Sequence, residues 1–438
     1  MDSQINVGDR VRIKKGSIVY EGVVLPKSEF SSTNILVVKL DNGYNVGVDV
    51  SGAEIEVLES GVIKFREAEP SRSLVKGGGG LKLTFISTGG TIVSKVDYET
   101  GAVRPAITAG ELLEAVPEFT SYASELEVVE LSRLFSEDMT PEYWSLLSRE
   151  VGRLIESGVD GVLVAHGTDT MTYTASALAF ALSNLPAPVV LVGSQRSSDR
   201  PSSDSAINMR ASLPVFRDAP FGEVVVCMHG TMSDEYVLVH RGVKVRKMHS
   251  SRRDAFQTVN DLPLARVEFP EMRLRIINRA FIRRSRREEF LSRCGFSDKV
   301  ALLKFYPGMD CDIIDYFVDK GYKALVIEGT GLGHVRNACV DSVARASESG
   351  MIVVITTQTV FGRVNLNVYS TGRRLLRAGA VSGHDMLSEV AYVKLSWILG
   401  NYPGLERDEY VELFQRDMVH EFNRVHGCET FPRWFHGG

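Results

Sequence analysis

Two hydroxyl-rich glycine loops carry residue types able to perform acyl chemistry. Phe85-Ile86-Ser87-Thr88-Gly89-Gly90-Thr91-Ile92 is one, and Val164-Ala165-His166-Gly167-Thr168-Asp169-Thr170 is the other. Each follows an apolar run of strand length and places a threonine where that strand would stop. A threonine hydroxyl is a weak nucleophile at its free pKa, so it needs a base nearby and donors for the developing oxyanion. Thr88 and Thr168 are both candidates. Asp169 adjoins Thr168 and could orient a lysine; the candidate is Lys247, in Arg241-Gly242-Val243-Lys244-Val245-Arg246-Lys247-Met248-His249. Lysine in an enclosed site loses its proton more readily than in water. Each element alone is ambiguous: Thr-Gly-Gly-Thr is a turn more often than not, and a lone histidine before glycine is commonly structural. The combination is specific.

These residues need a scaffold, and the chain from Leu81 onward reads as strand, loop, helix. Leu81 to Ile86, Val159 to Ala165, Pro188 to Val192 and Val224 to Met228 are apolar runs of strand length. Leu112 to Val116, Tyr143 to Ser157 and Thr174 to Leu182 carry apolar residues at helical spacing. The pattern predicts a doubly wound α/β domain with buried parallel strands. Ligand sites in such sheets gather at the carboxyl ends of strands, where both threonine loops fall. Gln195 and Asp204, in the loop after Val192, either line the pocket mouth or satisfy turns, the latter being favoured. A basic connector follows, with Arg273, Arg275, Arg279, Arg283, Arg284, Arg286 and Arg287. It reads either as interdomain salt bridges and solvated linker or as an anion, partner or RNA surface. From Lys299 a smaller α/β unit begins, with strands Val300 to Phe305, Ala324 to Glu328 and Met351 to Thr356. The expected division is a small β-domain at 1–75, a large α/β domain at 81–272, the connector at 273–298 and a smaller α/β domain at 299–438.

The amino-terminal region has a different rhythm. Short alternating runs such as Val11-Arg12-Ile13-Lys14 and Ile55-Glu56-Val57-Leu58 are separated by tight polar turns such as Asp41-Asn42-Gly43-Tyr44. They predict a small SH3-like β-barrel, which would bind a partner or brace the main domain. Gly77-Gly78-Gly79-Gly80 then reads as a flexible joint. A phosphate loop is the alternative reading, but no Gly-Lys-Ser/Thr follows.

The 438 residues are 44% hydrophobic and 24% charged, with a net charge of -5, so no global positive field announces nucleic acid. Cys227, Cys294, Cys311, Cys339 and Cys428 are scattered and odd in number, which argues against a disulfide framework or a zinc knuckle. The amino terminus shows no basic region followed by an apolar run, and no apolar stretch reaches membrane-spanning length. These features lead to the expectation of a soluble cytoplasmic protein with no membrane association.

The chain resembles the asparaginase and glutaminase amidohydrolases that use a threonine nucleophile. Their first signature is similar to Ser87-Thr88-Gly89-Gly90-Thr91-Ile92 and their second to His166-Gly167-Thr168-Asp169-Thr170-Met171. Phe135-Ser136-Glu137-Asp138-Met139 looks like the family's substrate-carboxylate motif, and the family lysine falls on Lys247. The resemblance runs from about Leu81 to the carboxyl terminus. It implies an asparaginase-like two-domain α/β/α architecture behind the β-barrel. It implies that Thr88 attacks the amide carbon while Thr168, Asp169 and Lys247 handle the proton. Backbone N–H groups near Gly89 and Thr168 would face the oxyanion. Ser136 and Glu137 would hold the α-carboxylate region, and Asp169 the α-ammonium. Tyr98 would be a lid tyrosine, with Gly89, Gly90 and Gly101 letting the lid move. Family members build sites at homodimer contacts, and Glu328 and Asn337 are the residues considered for crossing that contact.

The free amino-acid hydrolases begin almost at the first threonine motif, whereas this chain carries a β-rich domain first. That architecture, and Gly89-Gly90-Thr91-Ile92-Val93-Ser94-Lys95-Val96-Asp97-Tyr98-Glu99-Thr100-Gly101-Ala102-Val103, resembles the D subunits of archaeal glutamyl-tRNA(Gln) amidotransferases. The resemblance implies ammonia release from glutamine or asparagine. It places ATP and Mg in a partner E subunit, no cofactor in this chain, and most of the tRNA contact on the partner. A stand-alone L-asparaginase or L-glutaminase with an accessory β-domain is the alternative. A non-catalytic binding module is disfavoured by the intact Thr88, Thr168, Asp169 and Lys247.

Overall fold

The computed structural model of the chain describes residues 5, 8–25, 34–42, 44–59, 72–89, 95–96, 103–104, 109–196, 198 and 202–431. The first unit is a five-stranded antiparallel sheet of β1 (Arg10–Lys15), β2 (Ile18–Val24), β3 (Ile35–Leu40), β4 (Asn45–Asp49) and β5 (Glu54–Glu59). Its order is β4-β3-β2-β1-β5, so the last strand returns to pair with the first. Alternation does the work here: Val11 and Ile13 are fully buried while the alternate residues Arg12 and Lys14 face solvent. Val24, Val38 and Val48 complete a separate small core. This is the accessory β-domain expected from the short alternating strands.

Beyond it, β6 (Arg72–Lys76) and β7 (Leu81–Gly89) flank the glycine run. That run is a correction to the expected flexible joint. Gly77 N–H donates to Ser124 O at 3.0 Å, Gly78 N–H to Thr120 O at 2.8 Å, and Gly79 N–H to Ala123 O at 3.0 Å. A Cβ at Gly77 would sit 2.3 Å from Ala123 O, and one at Gly79 would sit 2.1 Å from the Tyr122 carbonyl. The glycines let one backbone lie directly on another, a requirement that looks like looseness in sequence. Gly79→Ala should therefore destabilise the protein by about 2 kcal/mol through forced backbone displacement. Gly80→Ala, where a Cβ meets nothing within 4 Å, is the control. Equal thermal melting points for the two variants would return the segment to a loose joint.

The chain continues through a separate small pair, β8 (Lys95–Val96) with β9 (Val103–Arg104), and helices α1 (Ala109–Ala115) and α2 (Phe119–Tyr122) to β10 (Ala123–Leu134) of the large sheet. After α3 (Pro141–Ser157) come β11 (Gly161–Ala165), α4 (Met171–Ala181), the short β12 (Leu182–Ser183), β13 (Val189–Val192), α5 (Ser205–Asp218) and β14 (Val224–His229). Strands β15 (Tyr236–Arg241), β18 (Ala265–Glu268) and β19 (Arg273–Ile276) finish one edge, and β16 (Val245–Lys247) pairs with β17 (Phe256–Thr258) as a separate hairpin. The order is β19-β18-β15-β14-β13-β11-β7-β10-β6. The central strands β10, β7, β11, β13 and β14 run parallel. Each is covered on both faces, which explains the continuous apolar runs. In the register Leu163↔Phe85 and Val164↔Ile86, the first pair faces Met209, Leu213 and Phe216 of α5. The second pair faces α3 and α4 through Val151, Leu154, Ala175 and Leu178.

The smaller unit is a parallel sheet, β21-β22-β23-β24, built from Val300–Lys304, Ala324–Gly329, Ile352–Thr357 and Val381–Ser382. Helices α6 (Asp312–Asp319), α7 (Cys339–Glu348) and α8 (Ser370–Arg377) cover one face, and α9 (Ser388–Asn401) with α10 (Arg407–Gln415) the other. α9 is apolar almost all round, with Val390, Ala391, Val393, Leu395 and Ile398 fully buried, because it packs between the small sheet and α4. The core thus passes from one sheet to the other chiefly where α9 packs on α4, with Trp144 of α3 beside Tyr392 of α9.

One further expectation changes, and one open reading narrows. Cys311 and Cys339 form a disulfide with their Cα atoms 4.9 Å apart, where the scattered, odd set of cysteines argued against a disulfide framework. Cys311 precedes α6 and Cys339 opens α7; packing of those helices joins them across 28 residues, a proximity no local motif announces. Most arginines of the basic connector are exposed, but several are tied to groups of this chain. Arg273 and Arg275 meet Glu268 at 2.8 and 2.7 Å, from the edge strand β19. Arg284 donates to Phe216 O at 2.7 Å and Arg287 to Ile155 O at 2.5 Å, while β20 (Leu291–Ser292) pairs with β12. Intrachain stapling is the reading these contacts support. Among the described residues no helix is long and apolar enough to cross a membrane.

Candidate active site

Adjacent parallel strands bring the two threonine loops together. Ser87 of β7 is level with Ala165, the last residue of β11, so Thr88 and Thr168 leave the same edge of the sheet. Thr88 is 2% exposed; its hydroxyl donates to Ala165 O at 3.0 Å, and its own carbonyl accepts from Ser132 Oγ at 2.8 Å. Gly89 follows with φ +108°, and a Cβ there would lie 2.3 Å from Leu134 O. Only glycine combines that backbone angle with so close a crossing. Ser87 is fully buried on the strand beside Thr88. Gly90, Thr91, Ile92, Tyr98 and Gly101 lie outside the described residues.

The second loop is held by a buried hydrogen-bond chain. His166 Nδ1 lies 2.7 Å from Gly167 O and Nε2 2.9 Å from Thr174 Oγ1, which also accepts from Trp144 Nε1 at 3.2 Å. Burial pushes the imidazole down to about 4, so His166 is neutral near pH 7 and serves as a brace. Gly167 permits the approach of Ser136, whose Cβ would be 2.7 Å from a Cβ at that position. Thr170 Oγ1 donates to Ser136 O at 2.5 Å. Ser136 and Glu137 occupy a short 3-10 turn after β10, with Ser136 Oγ 3.5 Å from Glu137 Oε2. Asp204 accepts from Gln195 and Arg196 backbone N–H groups at 3.1 and 3.0 Å, the turn-satisfying role expected for it.

Lys247 arrives from far along the chain, at the end of β16. Its Nζ donates to Thr168 Oγ1 at 2.9 Å and to Asp169 Oδ1 at 2.7 Å. The lysine is 14% exposed and the aspartate 68%, so the pair sits at the mouth of the site with the carboxylate facing outward. The structure therefore gathers Thr168, Asp169 and Lys247 in direct contact, sets Ser136 against their loop, and puts Thr88 on the neighbouring strand. A hydroxyl, an ammonium and a carboxylate so linked form a chain along which protons can pass. Glu328 lies buried at the end of β22, 3.6 Å from Lys304, and Asn337 accepts from Thr371 Oγ1 at 3.1 Å.

Behind the pair lies a cavity of about 380 Å³ shared by Asp169, Lys247, Tyr173, Arg246 and Glu389. Arg246 Nε meets Glu389 Oε1 at 3.1 Å. Burial raises the Glu389 carboxyl above the usual carboxylate range, and Glu328 adds to the effect. Sequence reasoning missed Arg246, Tyr173 and Glu389. Glu389 left one signal: it is the single acidic residue of a largely apolar helix, a costly placement without a partner.

Residues 82–279 match the model for the asparaginase N-terminal domain, and residues 299–414 that for the glutaminase/asparaginase C-terminal domain. Residues 5–58 match the GatD N-terminal domain. The D subunit of the Metallosphaera sedula glutamyl-tRNA(Gln) amidotransferase is 48% identical over 433 residues, covering 98% of this chain and 95% of that one. The chain belongs to the D-subunit family of glutamyl-tRNA(Gln) amidotransferases. Its counterpart from Sulfolobus acidocaldarius is 46% identical, with 99% and 95% coverage. Among solved structures, the thermostable L-asparaginase from Thermococcus kodakarensis superposes with a TM-score of 0.71 at 28% identity. It covers 79% of this chain and 100% of its own. L-asparaginase I from Vibrio cholerae gives 0.68 at 29% identity, covering 78% and 100%. The D-subunit family thus joins an asparaginase-like body to an added amino-terminal β-domain.

Proposed function

We propose that this chain is the amide-hydrolysing subunit of a glutamyl-tRNA(Gln) amidotransferase. The observation that carries the reading is the match along the whole chain, amino-terminal β-domain included, to D-subunit relatives rather than to the asparaginase body alone. The site supports the chemistry. Thr88 Oγ attacks the side-chain carboxamide carbon of glutamine or asparagine, and backbone N–H groups near Gly89 and Thr168 face the oxyanion. The Thr168–Asp169–Lys247 group takes the hydroxyl proton and returns it to the leaving nitrogen as the C–N bond breaks. Ammonia departs, water attacks the Thr88 ester, and the free acid leaves. Ser136 and Glu137 hold the α-carboxylate region, Asp169 pairs with the α-ammonium, and Tyr98 serves the lid.

The ammonia is consumed by a partner E subunit that activates glutamyl-tRNA(Gln) with ATP and Mg, giving glutaminyl-tRNA(Gln) in the cytoplasm. This chain brings no cofactor of its own, pairs with a second copy of itself, and leaves most tRNA contact to the partner. Its functional units are residues 1–75, 81–272, 273–298 and 299–438. The test is ammonia release from glutamine by the chain alone and with its E subunit, ATP and glutamyl-tRNA(Gln). Strong stimulation with tRNA amidation is expected. Fast hydrolysis by the isolated chain, indifferent to every addition, would make it a free-standing amidohydrolase instead.

A further inference from the structure

Lys247 is positioned by a strand that the smaller domain holds at two points. Side chains alternate along β16 and the residue before it, so Lys244 and Arg246 share one face while Lys247 points to the other. Lys244 Nζ meets Asp385 Oδ2 at 3.0 Å, both groups fully buried. Arg246 Nε meets Glu389 Oε1 at 3.1 Å. Asp385, in the turn before α9, and Glu389, in its first turn, are four residues apart; α9 is the helix wedged between the small sheet and α4. The two clamps differ. Asp385 is saturated, accepting also from Asn423 N at 2.7 Å and Asn423 Nδ2 at 2.8 Å. Glu389, 7% exposed, has a second oxygen buried without a hydrogen-bond partner among the described residues, and the residue lines the same cavity as Lys247 and Asp169.

We propose that Glu389 is a positioning residue for the amidohydrolase reaction: through Arg246 it sets the β16 strand so that Lys247 reaches Thr168 and Asp169. The inference rests on the proton-handling role assigned to Lys247 above. It makes the smaller domain a determinant of turnover within one chain. It also makes the setting sensitive to pH. The groups that face Glu389 are Arg246 from β16, Tyr173 from α4, Glu328 from β22 and Lys304 from β21. Asp169, Lys247 and His249 line the same cavity. Burial and Glu328 raise the Glu389 carboxyl, whereas Arg246 and Lys304 lower it, and burial wins. Burial also holds the Tyr173 phenol neutral by raising it. Glu389 is therefore protonated at a higher pH than an ordinary glutamate, and protonation removes the charge that holds Arg246. Turnover supported by this clamp is present above the raised pKa and lost as pH falls through it.

The experiment compares Glu389→Gln, Arg246→Gln and Lys247→Ala as full-length chains with the E subunit, ATP and glutamyl-tRNA(Gln), measuring ammonia release from glutamine against pH. Glu389→Gln should lower kcat about tenfold with KM nearly unchanged, since a small misplacement of a catalytic group is costly. It should also lose the acid-side limb that the unaltered chain shows. Arg246→Gln should produce the same kcat loss, and the double variant should be no worse than either single one, the signature of one shared interaction. Glu389→Asp, which keeps the charge, should recover part of kcat. If Glu389→Gln does not fold, Arg246→Gln, on a 31% exposed side chain, answers the same question. Unchanged kcat and an unchanged pH profile in Arg246→Gln and Glu389→Gln, with Lys247→Ala inactive, would overturn this inference alone. An active Lys247→Ala would instead remove the reading on which it rests.

Discussion

Replacing Thr88 by alanine should cut partner-stimulated ammonia release by about four orders of magnitude or more, while the protein stays folded. The two effects separate because they have different physical sources. Among the described residues the Thr88 hydroxyl makes one buried hydrogen bond, to Ala165 O at 3.0 Å. Losing it costs about 1 kcal/mol. The strand itself is held by its ladders to β10 and β11, which alanine leaves intact. In the proposed mechanism, however, no acyl-enzyme forms without that oxygen. Thr88→Ser keeps the oxygen and should retain measurable turnover. The pair of variants is read by ammonia release alongside a thermal melt. Undiminished release from Thr88→Ala would place the nucleophile elsewhere, with Thr168 the first residue to examine.

Lys247→Ala should reduce turnover about a thousandfold, the range in which a positioned acid–base group contributes. It removes both the 2.9 Å contact to Thr168 and the 2.7 Å contact to Asp169. Stability should change by no more than about 1 kcal/mol, because Asp169 is 68% exposed and water takes the place of the lost ammonium. Lys247→Arg should rescue little. A planar guanidinium on a longer arm cannot put one nitrogen on both the threonine hydroxyl and the carboxylate. Full activity in Lys247→Arg would mean that charge alone, rather than a movable proton at one nitrogen, is what the site requires.

The expectations that failed share a cause. Four consecutive glycines signal conformational freedom when read along the chain, yet Gly77 and Gly79 are there because α2 and the start of β10 pass within van der Waals contact of them. Cys311 and Cys339 look unrelated at 28 residues apart, and only the packing of α6 on α7 joins them. Seven arginines in a short stretch left a solvated, salt-bridged linker and a charged-partner surface both open, and only the fold shows Arg284 and Arg287 donating to carbonyls at the ends of α5 and α3. Each case turns on what lies across space from a residue, and a single sequence carries no record of that.

What the sequence determined by itself is local and periodic. Continuous apolar runs specified buried parallel strands, and alternation in Val11-Arg12-Ile13 specified a half-exposed sheet. Glycine beside threonine marked the loops that end β7 and β11, and the order of four motifs was enough to suggest the chemistry. The tertiary structure decided the rest. It set β7 beside β11, carried Lys247 across 78 residues to Asp169, and turned α9 so that Glu389 meets Arg246. The physical reason is range. Side-chain periodicity reports burial within one element, but a proton chain exists only where separate elements bring their atoms within about 3 Å of each other.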